Sequence, residues 1–195
     1  MLAQTFWKVV VADQTDFLDR SLDGLAARGI RFCVLGGHGV YAYVDPVVGL
    51  DLDIVIATDQ RRAVEDWGRR EFRVEALPHS LDVSSPGSDL RVQIQLDPRY
   101  EPFVSRASER DVLGRRLPVA SLEDVLQGKV WAFSDSSRRA SKRQKDLADI
   151  ARLLEAYPHL RRLVPADILG RLISTVEDPE SERRAQDHIP RHSVG

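Results

Sequence analysis

The stretch Phe32 to Ile56, FCVLGGHGVYAYVDPVVGLDLDIVI, decides how this chain is read. Phe32–Leu35 is a short apolar run that predicts a buried strand, and Gly36-Gly37 predicts a tight turn after it. His38–Tyr43 then predicts a short helix closed by Asp45-Pro46, and Leu50–Ile56 a second strand. Residues two apart on a strand share a face. Asp51 and Asp53 therefore project from one side while Leu52, Ile54 and Ile56 cover the other. The plain alternative is a pair of surface aspartates on an edge strand. Against it, Asp is depleted in strands, and like charges this close repel unless something positive lies between them. An oxygen-rich pair suits Mg²⁺ or Mn²⁺. A Gly-Gly turn leading into a helix leaves bare backbone N–H groups that suit a phosphate. Phosphate cradle and paired carboxylates together point to metal-assisted chemistry on a nucleoside triphosphate.

Outward from this stretch, the periodicity alternates between helix and strand. Asp16–Arg28 carries a helical stripe (Phe17, Leu18, Leu22, Leu25) that stops at Gly29. A helix to about Arg70 turns Val64 and Trp67 inward, and Phe72–Leu77 alternates as a strand. Pro78–Asp89, rich in Ser, Pro and Gly, reads as a loop. Leu90–Leu96 alternates strictly and ends at Asp97-Pro98, Tyr100–Arg106 reads as a short helix, and Val112–Val119 as one extended piece. Ser121 and Asp124 have capping-box-like spacing at the start of a helix reaching about Phe133. Ser141–Ala156 is a strong helix stopped by Pro158, and Pro165–Val176 a last one. The expected fold is α+β: a small mixed sheet with helices on one face, plus C-terminal helices. The expected division is an α/β core over 1–120, a helical segment over 121–176 packed on it, and a disordered polar tail over 177–195.

Composition narrows the classes. The chain has 195 residues, 43% hydrophobic and 30% charged, which is enough apolar material for a core. Its net charge of −2 makes no global case for nucleic-acid or membrane binding, so any basic patch is local. The lone Cys33 sits in an apolar run and reads as a core residue, which excludes a disulfide framework. No signal peptide and no apolar run of roughly 18 residues is found, so a cytoplasmic protein without a membrane span is expected. There is no Gly-rich loop ending in Gly-Lys-Ser/Thr, which excludes a P-loop NTPase.

A second charged feature lies late in the chain. Arg138, Arg139, Lys142, Arg143 and Lys145 stand before and at the start of a helix, where positive charge opposes the macrodipole. Either this is a solvated face, or an anion such as a triphosphate or an RNA backbone compensates it. Lys129 lies among Val125, Leu126, Val130 and Trp131; it either snorkels from a buried stripe or reaches a phosphate. His38 is either a polar residue at a helix start or a substrate contact.

Taken in order, LGGHGVYAY, DLDIVI, SLEDVLQGKVWA and SKRQKDLADIARLLE resemble the DNA polymerase β-like nucleotidyltransferase superfamily, in particular the bacterial abortive-infection toxin type, over about Phe17–Leu163. The resemblance implies that Gly36 and Gly37 hold a nucleotide's phosphates and that Asp51 and Asp53 ligate Mg²⁺ or Mn²⁺. It also implies that Lys129, Lys145 and Asp146 shape or charge the nucleotide pocket. The substrate would be an NTP, the acceptor an RNA or protein hydroxyl, and the partner a cognate antitoxin or toxin.

Two departures bear on activity. Where such proteins often carry Arg and Thr ahead of the aspartate pair, this chain has Val47 and Gly49. Where the superfamily places a third carboxylate on a later strand, this chain has Gln93, and a neutral amide is neither a general base nor an anionic ligand. Asp97, of the same strand parity, and Asp89, ahead of the strand, are the candidate substitutes, and the distance disfavours them: four residues along a strand is about 13 Å. Three readings follow: an active nucleotidyltransferase, a weakened member that binds a nucleotide or partner, and a glycosyltransferase holding a nucleotide sugar through the same aspartates.

Overall fold

The computed structural model describes Asp13, residues 15–45 and residues 49–174. Val47 and the expected tail from 177 lie outside them. Seven strands form one sheet in the order β3-β4-β5-β2-β1-β7-β6. In chain order they are β1 (Phe32–Val34), β2 (Asp51–Ile56), β3 (Arg73–Ala76), β4 (Ser80–Ser84), β5 (Arg91–Gln95), β6 (Ser108–Val112) and β7 (Arg115–Val119). The sheet is mixed: β2 runs parallel to β5 and β1 to β7, while the β1–β2, β3–β4, β4–β5 and β6–β7 pairs are antiparallel. The α+β class and mixed sheet are as the sequence predicts.

The helices are α1 (Phe17–Ala27), α2 (Gly36–Tyr41), α3 (Arg61–Glu71), α4 (Glu101–Ser105), α5 (Leu122–Ser134), α6 (Ala140–Ala156) and α7 (Ala166–Ser174). They cover both faces of the sheet rather than the one face expected. Leu52, Ile54 and Ile56 of β2 join Phe17, Leu22, Val64 and Trp67 of α1 and α3 in one core cluster. Val55, with Cys33, faces the other way and joins Phe103, Val125, Leu126, Ile150 and Leu153 of α4, α5 and α6 in a second. The alternation of β2 is apolar at Val55 as well as at its even positions, which is the mark of a strand buried on both sides. Burial pushes the Cys33 thiol up to about 12, so it is an inert core residue.

Two further expectations are corrected. The segment read as a loop contains β4, whose Leu81 and Val83 are buried; Ser, Pro and Gly on either side masked a five-residue alternation. The single extended piece at 112–119 is the far half of a hairpin. Leu113 and Gly114, at φ 57° and 76°, reverse the chain between β6 and β7 in the doubly left-handed geometry that suits strand twist. The Ser121 cap is present, its hydroxyl accepting from the Asp124 N–H at 3.2 Å.

Gly24 of α1 carries the contact between the two outer helices of the first cluster. A Cβ there would lie 2.1 Å from the Trp67 ring. Gly24→Ala is expected to lose about 1–3 kcal/mol in urea unfolding through overpacking, despite alanine's better helix propensity.

Candidate active site

Strand β2 leads its two carboxylates along the face covered by α2, α5 and α6. Asp51 lies opposite Arg91 and Asp53 opposite Gln93 in the parallel β2–β5 register. Arg91 donates to Asp51 Oδ1 from Nε at 3.0 Å and from Nη2 at 2.7 Å, and the Lys142 ammonium stands 3.5 Å from Oδ2. Burial works to raise the Asp51 carboxyl, but Arg91 and then Lys142 hold it below the ordinary aspartate range.

Asp53 is seated deeper. Its Oδ2 lies 1.9 Å from where a Cβ on Gly36 would be, and Gly36 has φ +64°. Both the backbone angle and the space therefore require glycine. Gly37 is different: a Cβ there would meet Tyr41 at an ordinary 3.7 Å, so packing within the chain does not demand its bareness. The pair lies in the first turn of α2 rather than in a separate turn before it. Desolvation pushes the Asp53 carboxyl up to about 6, with Lys129 opposing and Asp51 adding to the rise.

Lys129 is buried and does not snorkel. Its ammonium stands 3.0 Å from Asp146 and 2.6 Å from Asp149 on α6. Burial alone would lower it, yet Asp149 and Asp146 hold it above the usual lysine range. Asp146 also accepts from Arg138 Nε at 2.8 Å. The basic run thus divides. Arg138 locks onto Asp146, Lys142 turns to Asp51, and Arg143 donates to the Phe133 carbonyl at the end of α5.

Two adjoining clefts meet at Asp53, Gln93, Lys129, Arg138 and Asp146. One, of about 210 Å³, is further lined by Gly37, His38, Asp51, Arg91, Lys142 and Lys145. The other, of about 550 Å³, is further lined by Gly36, Asp97, Arg99, Tyr100, Trp131 and Asp135. The structure therefore gathers Gly36, Gly37, Asp51, Asp53, Lys129, Lys145 and Asp146 around one place. In the smaller cleft five cations face three carboxylates, an arrangement that attracts a polyanion. His38 is buried in its wall, and desolvation pushes it down to about 4.

Of the two candidate substitutes for a third carboxylate, Asp97 lines the larger cleft with Asp53, and Asp89 lines neither cleft. Asp89 is exposed ahead of β5, and Asp97 is bound by the Arg99 side chain at 2.9 and 2.7 Å. A carboxylate that sequence reasoning missed does stand nearby. Asp82 of β4 lies opposite Gln93, in the same cross-strand row as Asp53. Its signal was the Ser-Leu-Asp-Val-Ser alternation hidden in the apparent loop. Among the described residues no group of three or more His, Cys, Asp or Glu could hold a metal ion. The available donors are two carboxylates and an amide oxygen. That set fits Mg²⁺, which takes one or two carboxylates and completes its shell with water and substrate phosphates.

Two outcomes follow from this geometry. Lys129→Met removes the buried cation that Asp146 and Asp149 share, leaving Asp146 to Arg138 and Asp149 to Arg152, and is expected to cost about 3 kcal/mol in chemical denaturation. The second concerns pH, in buffer without divalent cations. Asp53, raised from 3.8 to about 6, contributes stability that is full below 3.8 and lost as pH rises through 6. His38, lowered from 6.5 to about 4, loses stability in the opposite direction, as pH falls through that window. The two offset each other in the native chain. Asp53→Asn is expected to be more stable at neutral pH, by up to about 3 kcal/mol, and to show a steeper loss than the parent on acidification, read from unfolding curves at several pH values.

A search of curated proteins finds no match. Among solved structures, the antibiotic-resistance factor ANT(2'')-Ia in complex with adenylyl-2''-tobramycin aligns at TM-score 0.56 and 15% identity, over 82% of this chain and 98% of that one. The solution structure of ANT(2'')-Ia aligns at TM-score 0.52 and 14% identity, over 88% and 95%. An antigenic nucleotidyltransferase-like protein from Paracoccidioides brasiliensis aligns at 0.50 and 16%, over 92% and 91%. At these identities the likeness is one of fold. The sequence model of the nucleotidyl transferase AbiEii toxin of type IV toxin–antitoxin systems matches residues 46–191. That span runs from just before the aspartate strand to beyond the last described helix, and the chain belongs to the AbiEii nucleotidyltransferase toxin family.

Proposed function

We propose that this chain transfers a nucleoside monophosphate from an NTP to a hydroxyl of an RNA or a protein, in the bacterial cytoplasm and paired with an antitoxin. The observation that carries the reading is the Asp51–Asp53 pair at the junction of two clefts, with Asp53 seated against Gly36 and surplus cations on one side. The triphosphate enters the smaller cleft. Lys142 and Lys145 bind its oxygens, Arg91 exchanges part of its hold on Asp51 for phosphate, and Gly37 lets the phosphates approach the backbone. Asp51 and Asp53 would hold a divalent cation, which when bound neutralises charge on the phosphoryl oxygens. Lys129, fixed by Asp146 and Asp149, keeps a positive charge beside Asp53 and limits its protonation. The acceptor occupies the larger cleft. Its oxygen bonds to the α-phosphorus as the bond to pyrophosphate breaks, and the hydroxyl proton leaves to water or a carboxylate.

Gln93 favours a second reading, in which the chain binds a nucleotide or a partner and transfers nothing. The family match favours transfer over the nucleotide-sugar alternative. The test measures thermal stability with each of the four ribonucleoside triphosphates, with and without Mg²⁺, alongside incorporation of label into RNA and protein. A Mg²⁺-dependent rise in Tm for at least one triphosphate, absent in Asp53→Asn, is expected together with incorporated label. Binding without incorporation selects the second reading; no rise with any triphosphate defeats both.

A further inference from the structure

The row that joins Asp53, Gln93 and Asp82 crosses three neighbouring strands, β2, β5 and β4. Asp82 Oδ1 accepts from Gln93 Nε2 at 2.9 Å, and Ser80 Oγ stands 3.5 Å from the same nitrogen. Asp82 Oδ2 also lies 3.4 Å from Arg91 Nη1. A carboxylate has only acceptors, so the end of the Gln93 amide that faces it must be the NH₂ group. Both amide hydrogens then lie on the β4 side. The planar amide leaves its carbonyl oxygen for the two clefts that Gln93 lines beside Asp53.

We infer that Asp82 is a positioning residue that fixes the Gln93 amide so that its carbonyl oxygen, beside Asp51 and Asp53, serves as a neutral oxygen ligand for the divalent cation. The inference rests on the proposed function and revises the view of Gln93 as simple loss. An amide that could turn would present either an oxygen or a positively polarised NH₂ to the cation. Asp82 removes the second choice. Hydrogen-bonded supports of this kind commonly change metal affinity by about 10–100-fold when removed.

The test measures Mn²⁺ affinity by electron paramagnetic resonance, in the presence of a non-transferable triphosphate analogue. It compares the parent with Asp82→Asn, Gln93→Met and the double variant Asp82→Asn/Gln93→Glu. Asn at 82 can offer its own NH₂ and let the Gln93 amide turn, so affinity should fall by about ten-fold or more. Gln93→Met removes the oxygen while keeping Asp82 and should fall equally, which decides the matter even if Asp82→Asn folds poorly. In the double variant a carboxylate presents oxygen whichever way it turns, so affinity should return. Parent-like affinity in either folded single variant overturns the inference while leaving the proposed function standing. A loss in Asp82→Asn that the double variant does not recover also overturns it, by making Asp82 itself the ligand. A parent that binds no Mn²⁺ with the analogue overturns the inference and the cation-dependent function together.

Discussion

The Lys129 ammonium, 3.0 Å from Asp146 and 2.6 Å from Asp149, is the contact on which the arrangement of this molecule turns. It fastens α5 to α6 in the interior, where an uncompensated charge would cost several kcal/mol. Together with Ile150, Leu153 and Leu154, which pack in the second core cluster, it positions α6 over the sheet. Once α6 is placed, Arg138 reaches Asp146, Lys142 reaches Asp51, and Lys145 joins the wall of the smaller cleft. The cleft's charge is therefore a consequence of an ion cluster below it. The same cluster keeps a positive charge near Asp53, opposing the desolvation that raises its pKa.

The site is built from unlike tolerances. Asp53 is held where no side chain on Gly36 could coexist with it, and Gly36 adopts a backbone angle that favours glycine. Asp51, by contrast, is partly exposed and held by Arg91 and Lys142, cations on long, partly exposed side chains. Rigid placement of one carboxylate and replaceable partners on the other suit a site whose ligands bring their own charge. The network continues across the sheet, since Arg91 bridges Asp51 to Asp82 and Gln93 bridges the row of Asp53 to the same Asp82. Three strands thus share one layer of polar contacts on a face that is otherwise apolar further along β2.

Much of this was legible one-dimensionally. The alternation in DLDIVI predicts both the strand and the shared face of its aspartates, because strand periodicity is local. The Ser121 cap and the stop at Pro158 are local in the same way, and the helix boundaries around them agree with prediction to within a residue or so. The strand β4 was not legible: its two buried apolar residues sit between turn-forming neighbours, and pairing with both β3 and β5 stabilises it. Its loss hid Asp82, since a residue in a loop has no assigned row. The hairpin of β6 and β7 was half hidden for a similar reason, Leu113 being an unusual residue at positive φ.

The sequence by itself determined the chemistry available: two carboxylates on one strand face, a glycine pair, a late basic run and a glutamine on the later strand. These follow from residue identity and short-range periodicity. The tertiary structure decided which of them meet. Lys129 became a buried bridge rather than a snorkelling surface residue because Asp146 and Asp149 come from another helix seventeen or more positions away. Asp89 was left outside both clefts, and Asp82 was brought into the row of Asp53, because strand order is set by long-range pairing and burial, which no local pattern encodes.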